Sequence, residues 1–417
     1  MKNLVAPRWI SGHFQFVDLW RQIRDVAAIN PESLAETTLP DLEFDYVDLA
    51  AVDEGTIASV LVSHRFESAP SRARRITQEG DLLVATVRPL LDGHTRVPKQ
   101  GFRQLIASTG YAVLRIKDPN ERDLVWHLLT SRLVRRQFHA KVAGSSYPAI
   151  AESDVGEIWI PKFKEHLVYR VVRACNALQS SESILNRLIA AKREQKRGLM
   201  QQLLTGKLRF PGFTEPWAAR RIGDVLEECA RPTECDDDRV YRLVSIRRRN
   251  GGLFMRAELA GSKILTKSLF VIRRGDLLIS CRQVVHGAIA IVPASLDTSY
   301  VSGEYLCLVP RSNKLINTDF VNLLAHLPAM RKLTMSCSNG VHIEKLNLDV
   351  KKFLRCELFM PPNIDEQLEL VEVFEAIDSE INLLEQQRAA FAAQRRGLME
   401  KLLSGEIDIQ NPKETAA

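Results

Sequence analysis

Along the last fifty residues, apolar side chains recur at three-to-four spacing: Leu370, Phe374, Ile377, Ile381, Leu384, Phe391, Leu398 and Leu402. Arg388 and Arg395 fill the two gaps. That spacing, held over more than four heptads, predicts a coiled-coil seam on one long helix. Asn363 with Glu366 after Pro361-Pro362 predicts a capping box at its start, and Gly405 a left-handed stop. A matching helix is predicted through Leu185, Ile189, Leu199 and Leu203, with Gly206 as its stop and Lys192 and Lys196 interrupting the seam. A helix of about 40 residues runs roughly 60 Å, and its apolar stripe needs a partner, for which the other helix is available. Gly198 and Gly397 inside these helices cost about 1 kcal/mol each relative to Ala. A close helix–helix crossing explains them most simply; a docking notch for another protein is the alternative.

Elsewhere the pattern changes. GDLLVATV and GDLLIS read as buried strands leaving a turn, whereas Leu124 to Phe138 and Asp319 to Leu333 have helical spacing. Each strand–helix set forms an α+β unit of about 150 residues, a normal domain size. The elements also occur twice. QKRGLMQQLLTG, Gln195 to Gly206, returns as QRRGLMEKLLSG, Gln394 to Gly405, with eight of twelve residues identical. ITQEGDLLVAT from Ile76 faces VIRRGDLLISC from Val271, and Tyr46-Val47-Asp48-Leu49 faces Tyr241-Arg242-Leu243-Val244, both at an offset of 195. Trp159-Ile160-Pro161 faces Phe359-Met360-Pro361 at an offset of 200, and Ile23 to Val26 answers Ile222 to Val225. Between Leu90 and Ala140 the copies diverge, and the first 40 residues do not align cleanly with the start of the second repeat. The expected layout is a domain at 1–160, a helix at 161–207, a second domain at 208–361, a second helix at 362–408 and a tail at 409–417.

Composition narrows the chemistry. With 417 residues, 45% hydrophobic and 26% charged, the chain has ordinary soluble-protein usage and room for more than one core. No apolar run nears the roughly 20 residues of a membrane span, and MKNLVAPRWISGHF lacks a secretory core. Seven scattered cysteines, the nearest pair being Cys229 and Cys235, fit a reducing cytoplasm without disulfides or zinc. The motif inventory is short. No phosphate-cradling GxxxxGK[ST], no [DNS]PP[YFW] and no S-adenosylmethionine FxGxG strand end is present. Glu194-Gln195-Lys196 and Asp349-Val350-Lys351 have a nuclease-like form without the upstream Pro-Asp, and read as surface charge. His94, His127 and His139 stand singly, in turn or core roles. The reading is a binding and scaffolding device, with no catalytic residue, cofactor or metal.

Net charge is +6, but its clustering carries more information, because phosphate binding needs local potential. Arg72, Arg74 and Arg75 form one basic run, and Arg247, Arg248 and Arg249 a second, in places expected to be equivalent. Lys263 and Lys267 precede the second GDLL strand as the first run precedes its own. Arg88 and Arg282 end the two strands, His286 follows Arg282, and Arg96, Lys99 and Arg103 lie in the divergent stretch. All are candidates for DNA contact, Arg being suited to bidentate contact with guanine; solvated turns are the competing reading.

The two helix-end phrases, QKRGLMQQLLTGKLRF and QRRGLMEKLLSGEIDI, resemble the ends of the two conserved helices in specificity subunits of type I restriction–modification systems. RRGDLLISC followed by GAIAIVP resembles a strand pair of their target recognition domains, and PPNIDEQLELVEVF the opening of their second helix. The first helix departs from the family at His166, where Gln is usual. The resemblance implies that 1–160 and 208–361 are target recognition domains, each reading half of a split double-stranded DNA sequence. It implies spacer helices pairing as an antiparallel coiled coil, with a pseudo-twofold axis like that of duplex DNA. Two copies of a DNA adenine methyltransferase subunit and a restriction–translocase subunit are the implied partners, in the cytoplasm and without a membrane. The runner-up reading is a coiled-coil DNA-binding adaptor or methyltransferase-associated scaffold outside a restriction system, and two other classes compete less well. A self-sufficient methyltransferase or nuclease conflicts with the missing motifs, and a coiled-coil adaptor that binds no DNA conflicts with the basic runs.

Overall fold

The computed structural model describes residues 17–404, apart from positions 54, 59, 92, 100–102, 145–147 and 164. Gly405, the tail, and the side chains of Leu402 and His166 lie outside the described residues. The chain forms two compact units, Met1–Asn186 with Gln386–Ala417, and Arg187–Glu385. Each is α+β and contains one domain plus a part of both long helices.

The domains share a framework strand for strand. The first has sheets ordered Val62–Arg65, Glu43–Val47, Leu105–Ser108, Ala73–Ile76 and Ala28–Ile29, Tyr111–Arg115, Leu82–Ala85, Thr95–Arg96. In the second, Leu253–Ala260, Val240–Ile246, Tyr300–Ser302, Leu269–Val271 and Leu226–Glu228, Tyr305–Pro310, Leu277–Ser280, Ile289–Ile291 take the same places, with Pro232–Thr233 as an extra edge strand. One parallel pair, Glu43–Val47 with Leu105–Ser108 or Val240–Ile246 with Tyr300–Ser302, recurs in each. The framework therefore continues through the stretch where the sequences diverge.

The double-leucine strands are buried on both faces, which is why they read as continuous apolar runs rather than alternating ones. Leu82 and Val84 face a core shared with helices Pro119–Leu129 and Arg132–Lys141, while Leu83 and Ala85 face the other sheet. Leu277 and Ile279, against Leu278, repeat the arrangement. Each predicted helix at this place is in fact two. Ser131 caps the second member in one domain, and Leu327-Pro328 breaks the run into Thr318–Leu324 and Pro328–Ser336 in the other, as a proline that cannot continue a helix must.

Strand register corrects two of the sequence correspondences. Ile76 pairs with Ile106, which pairs with Tyr46; Val271 pairs with Tyr300, which pairs with Leu243. Tyr46 thus answers Leu243, and Phe44, not Tyr46, answers Tyr241, both fully buried. Likewise the Ile23 amide donates to Ile158 O at 3.0 Å and that of Ile222 to Cys356 O at 2.8 Å, so Ile160 answers Leu358 rather than Met360. Both slips are of two residues. A strand repeats its inside–outside pattern every two residues, so such a slip leaves the hydrophobic pattern intact. The same hydrogen bonds align the first domain from Val17 onward with Ala218–Arg221 and its successor.

The long helices are Glu165–Leu203 and Ile364–Ser404. The first begins later than expected because Trp159–Phe163 is a strand paired with Val17–Gln22. The capping box at the second start is also corrected: Asn363 Oδ1 accepts from the Asp365 amide at 2.8 Å, but the Glu366 side chain turns away. Its carboxylate is buried, held by Arg209 through Nε at 2.8 Å and Nη2 at 2.7 Å, and by Trp217 Nε1 at 3.1 Å. Gly206, at φ +69, stops the first helix against Trp217.

Within each unit the two helix parts run antiparallel. In the first, Arg395 Nε meets Glu182 at 2.8 Å and Arg388 Nη1 meets Asn186 at 3.0 Å. In the second, Lys192 meets Glu380 at 2.8 Å and Lys196 meets Asp378 at 2.6 Å. The residues that interrupt the apolar seams are therefore cross-helix polar partners. Leu185, Ile189, Leu203, Leu370, Phe374 and Ile381 are buried, and Leu199, Ile377, Leu384, Phe391 and Leu398 are half-buried. The helix ends also bury residues that the seam pattern omits. Met200 and Leu204 join the core of the second domain, and Met399 and Leu403 that of the first. Gly198 and Gly397 do not mark a close crossing, because a Cβ at either would meet nothing within 4 Å.

Candidate nucleic-acid interface

In the second domain a hairpin turn between Val240–Ile246 and Leu253–Ala260 carries Arg247, Arg248 and Arg249. Arg249, Asn250 and Gly252 all have left-handed backbone, at φ +58, +54 and +74. The Asn-Gly-Gly sequence tolerates this readily; an arginine there is strained and persists only where its surroundings impose it. They do so: the Arg249 amide donates to His286 O and the Asn250 amide to Gly287 O, each at 2.7 Å. A side chain at Gly287 would be strained, because its backbone is left-handed at φ +74 and a Cβ would crowd Asn250 Oδ1 at 3.0 Å. Two separate sequence motifs, the basic run and the Gln283–Gly287 turn after the double-leucine strand, are thereby brought together.

A third element joins them. The small hairpin Ser338–Asn339 with Asn347–Leu348 carries Glu344 at its tip, and its base is tied to the strand end by the Leu348 amide donating to Cys281 O at 3.0 Å. Arg248 donates from Nε to Gln283 Oε1 at 2.6 Å and from Nη2 to Glu344 Oε2 at 2.7 Å. His286 Nε2 lies 3.4 Å from Glu344 Oε1. Arg247 stacks 4.4 Å over the Phe254 ring. Arg249 is exposed, with no ion pair among the described residues, and Arg282 pairs with Glu304 at 2.9 Å. Sequence reasoning missed Gln283 and Glu344; neither sits in a basic run, and only the fold makes them neighbours of Arg248.

The remaining candidates do not converge. Arg72–Arg75 and Arg247–Arg249 are not equivalent, which corrects that expectation. The first run enters the sheet strand Ala73–Ile76, matched by Leu269–Val271, whereas the second is a hairpin turn whose counterpart is the Leu49–Ala51 3-10 turn capped by Asp48. Arg74 lies 5.1 Å over Phe66. Arg75 is held by Glu152 and, at 3.0 Å, by Ser33 Oγ. Arg96 pairs with Asp123 beside Trp126, and its burial lowers its pKa below the ordinary arginine value despite that partner. Arg103 pairs with Glu43 and Lys267 with Asp237. Arg88 is exposed at φ +49, its amide donating to Pro148 O at 2.7 Å. Arg72, Lys99 and Lys263 are exposed and make no ion pair among the described residues; Lys263 borders a groove of about 560 Å³ with Arg256 and Tyr300.

The nuclease-like stretches and two of the histidines have structural partners. Lys196 is taken by Asp378, and Asp349 caps the helix Val350–Arg355 by accepting from the Lys352 amide at 3.0 Å. His94 and His127 are buried; His127 Nε2 is 2.8 Å from Asn176 Oδ1, and burial pushes its pKa down to about 4. Among the described residues no His, Cys, Asp and Glu group could hold a metal ion, and no helix is long and apolar enough to cross a membrane.

Residues 214–390 match the family described as type I restriction modification DNA specificity domain. A chain solved in a study of complex assembly and conformational transition of the type I R-M system is 23% identical, with a TM-score of 0.57 over 96% of this chain and 100% of that one. The S subunit of a type I restriction–modification system from M. genitalium is 14% identical, with a TM-score of 0.55 over 96% and 98%. These two likenesses concern the fold. No curated protein sequence matches the chain.

Proposed function

We propose that the chain is a specificity subunit of a type I restriction–modification system and reads a bipartite DNA target, one half with residues 1–160 and the other with 208–361. The observation that carries this reading is the doubled framework with a basic turn on its second copy: Arg247, Arg248 and Arg249 on one hairpin turn that is fixed through the Arg249 amide to His286 O. Local positive potential on a strained, fixed turn suits a phosphate backbone and the groove beside it. The other basic candidates, Arg72, Arg88, Lys99, Lys263 and Arg282 foremost, belong to the proposed DNA-facing set as exposed side chains.

The helices, 39 and 41 residues long, act in this reading as one continuous antiparallel coiled coil. They set the distance between half-sites and relate the domains by a pseudo-twofold axis, as two readers on one duplex require. Two copies of a DNA adenine methyltransferase subunit dock on them, and a restriction–translocase subunit joins the complex. Exposed apolar side chains on the helices, among them Ile184 at 55% and Leu383 at 64%, and the open backbone at Gly198 and Gly397, support a docking role. The chain itself supplies no catalysis and works in the cytoplasm, where such a complex meets DNA. The test is to reconstitute the chain with its methyltransferase subunit and sequence the methylated sites. Two unlike half-sites separated by unspecified bases are expected. A continuous site, a site independent of this chain, or methyl transfer by the chain alone overturns the proposal.

A further inference from the structure

Arg248 differs from its neighbours in one respect: its guanidinium is clamped from two sides. Gln283 takes Nε and Glu344 takes Nη2, each from a different element, although the side chain is 49% exposed. An exposed ion pair of this kind contributes little to stability, so the clamp needs another reason. A phosphate contact does not supply it, because a carboxylate beside the cation lowers the local positive potential that draws phosphate. Base reading does. A long side chain on a turn tip must give up rotamer freedom when it binds, and fixing it beforehand removes that loss. The two acceptors take one hydrogen on Nε and one on Nη2, leaving both hydrogens of Nη1 and the second of Nη2 as donors for the O6 and N7 acceptors of a guanine.

Resting on the DNA-recognition reading above, we propose that Arg248 reads a guanine in the half-site of the second domain, with Gln283 and Glu344 as positioning residues that aim it. The placement of both acceptors is firm. Gln283 opens the turn whose Val284 and Val285 are buried, and the Glu344 hairpin is tied at Leu348 to Cys281, two residues before Gln283. The tip itself folds tightly, since a Cβ at Gly340 would lie 2.6 Å from Lys345 O. Arg247, stacked on Phe254, and Arg249, without an acceptor, are left for the phosphates on either side.

The test uses the chain assembled with its methyltransferase subunit on a DNA library randomised across the second half-site. Arg248→Ala should relax one guanine position by roughly 5- to 150-fold, leaving the other positions and the salt dependence unchanged. Glu344→Ala and Gln283→Ala should relax that same position, while Glu344→Gln, which keeps an acceptor oxygen, retains more of the preference than Glu344→Ala. The thermal midpoint should stay constant throughout, which a merely structural role would not predict. Uniform weakening on all sequences with Arg248→Ala, the salt slope falling by about one unit, overturns the proposal in favour of a phosphate contact. Tighter binding to every sequence with Glu344→Ala overturns it in favour of a masking carboxylate. If the unmodified complex shows a bipartite target and Arg248→Ala leaves every position intact, this inference alone fails. If no target depends on the chain, the DNA-recognition reading fails first.

Discussion

Met399 and Leu403 stand near the end of the sequence, yet they are 2% and 3% exposed within the core of the first domain. Their counterparts Met200 and Leu204, in mid-chain, lie in the core of the second. Truncating a buried Met or Leu to Ala costs about 2–5 kcal/mol, depending on how far the site collapses. The double variant Met399→Ala, Leu403→Ala should therefore remove a large share of the roughly 5–15 kcal/mol that holds a domain folded. The loss should fall on the first domain, more than two hundred residues away in sequence. Amide hydrogen exchange read by segment is the assay. Protection should drop over Leu82–Ala85, Tyr111–Arg115 and 168–175, and hold over Leu277–Ser280 and Tyr305–Pro310. Met200→Ala with Leu204→Ala should give the mirror result. If either pair loosens the domain it does not pack against, or both domains equally, the assignment of helix ends to cores is refuted.

Gly198→Ala and Gly397→Ala should each raise helix stability by about 1 kcal/mol, seen as a higher thermal midpoint, while weakening capture of the methyltransferase subunit; unchanged capture removes the docking role of these glycines. A four-residue insertion beside Gln386 lengthens that helix by about 6 Å, so methylated sites should keep both half-sites and change only the number of unspecified bases between them. An altered half-site would count against the helices as a ruler.

Much of the frame was legible because its signals are local. The seam repeats within one helix, and the double-leucine strands advertise burial on both faces. Gly206 stops its helix where its conformational freedom predicts. What failed was whatever depends on partners distant in sequence. The slips at Tyr46 and Trp159 preserve the strand's two-residue period, so no pattern of apolar residues could reveal them; only hydrogen-bonded register does. Glu366 sits where a capping box would have it, but Arg209 and Trp217 offer a buried carboxylate three charged or polar donors, and that outweighs one cap bond. At the candidate interface the arginines were visible as a run, whereas Gln283 and Glu344 carry no signal until two turns and a hairpin are folded together. Gly198 and Gly397 looked like a crossing because helical glycine usually has a packing reason within its own chain; here the space beside them is open.

The polar pairs in the seam and the repeated helix-end phrase act on the same variable. Arg395 with Glu182 is a largely buried pair, which adds little when paired but costs several kcal/mol when one partner is lost; Lys196 with the half-exposed Asp378 adds a weaker preference of the same kind. They therefore select one antiparallel register over neighbours that an apolar seam alone would tolerate. Register in turn decides where each helix end arrives. A slip of one heptad, about 10 Å, would carry Met399 and Leu403 away from Val168, Val171 and Cys175, with which they share a core. Docking of the phrase thus reinforces the pairs, and the pairs hold the phrase in place. Under the proposed function, in which the helices hold two readers at a fixed distance, such doubled specification matters because an error in register would be an error in that distance. This explains why the phrase occurs twice, and why it stands at the helix ends, where displacement by a slip has a core to register it.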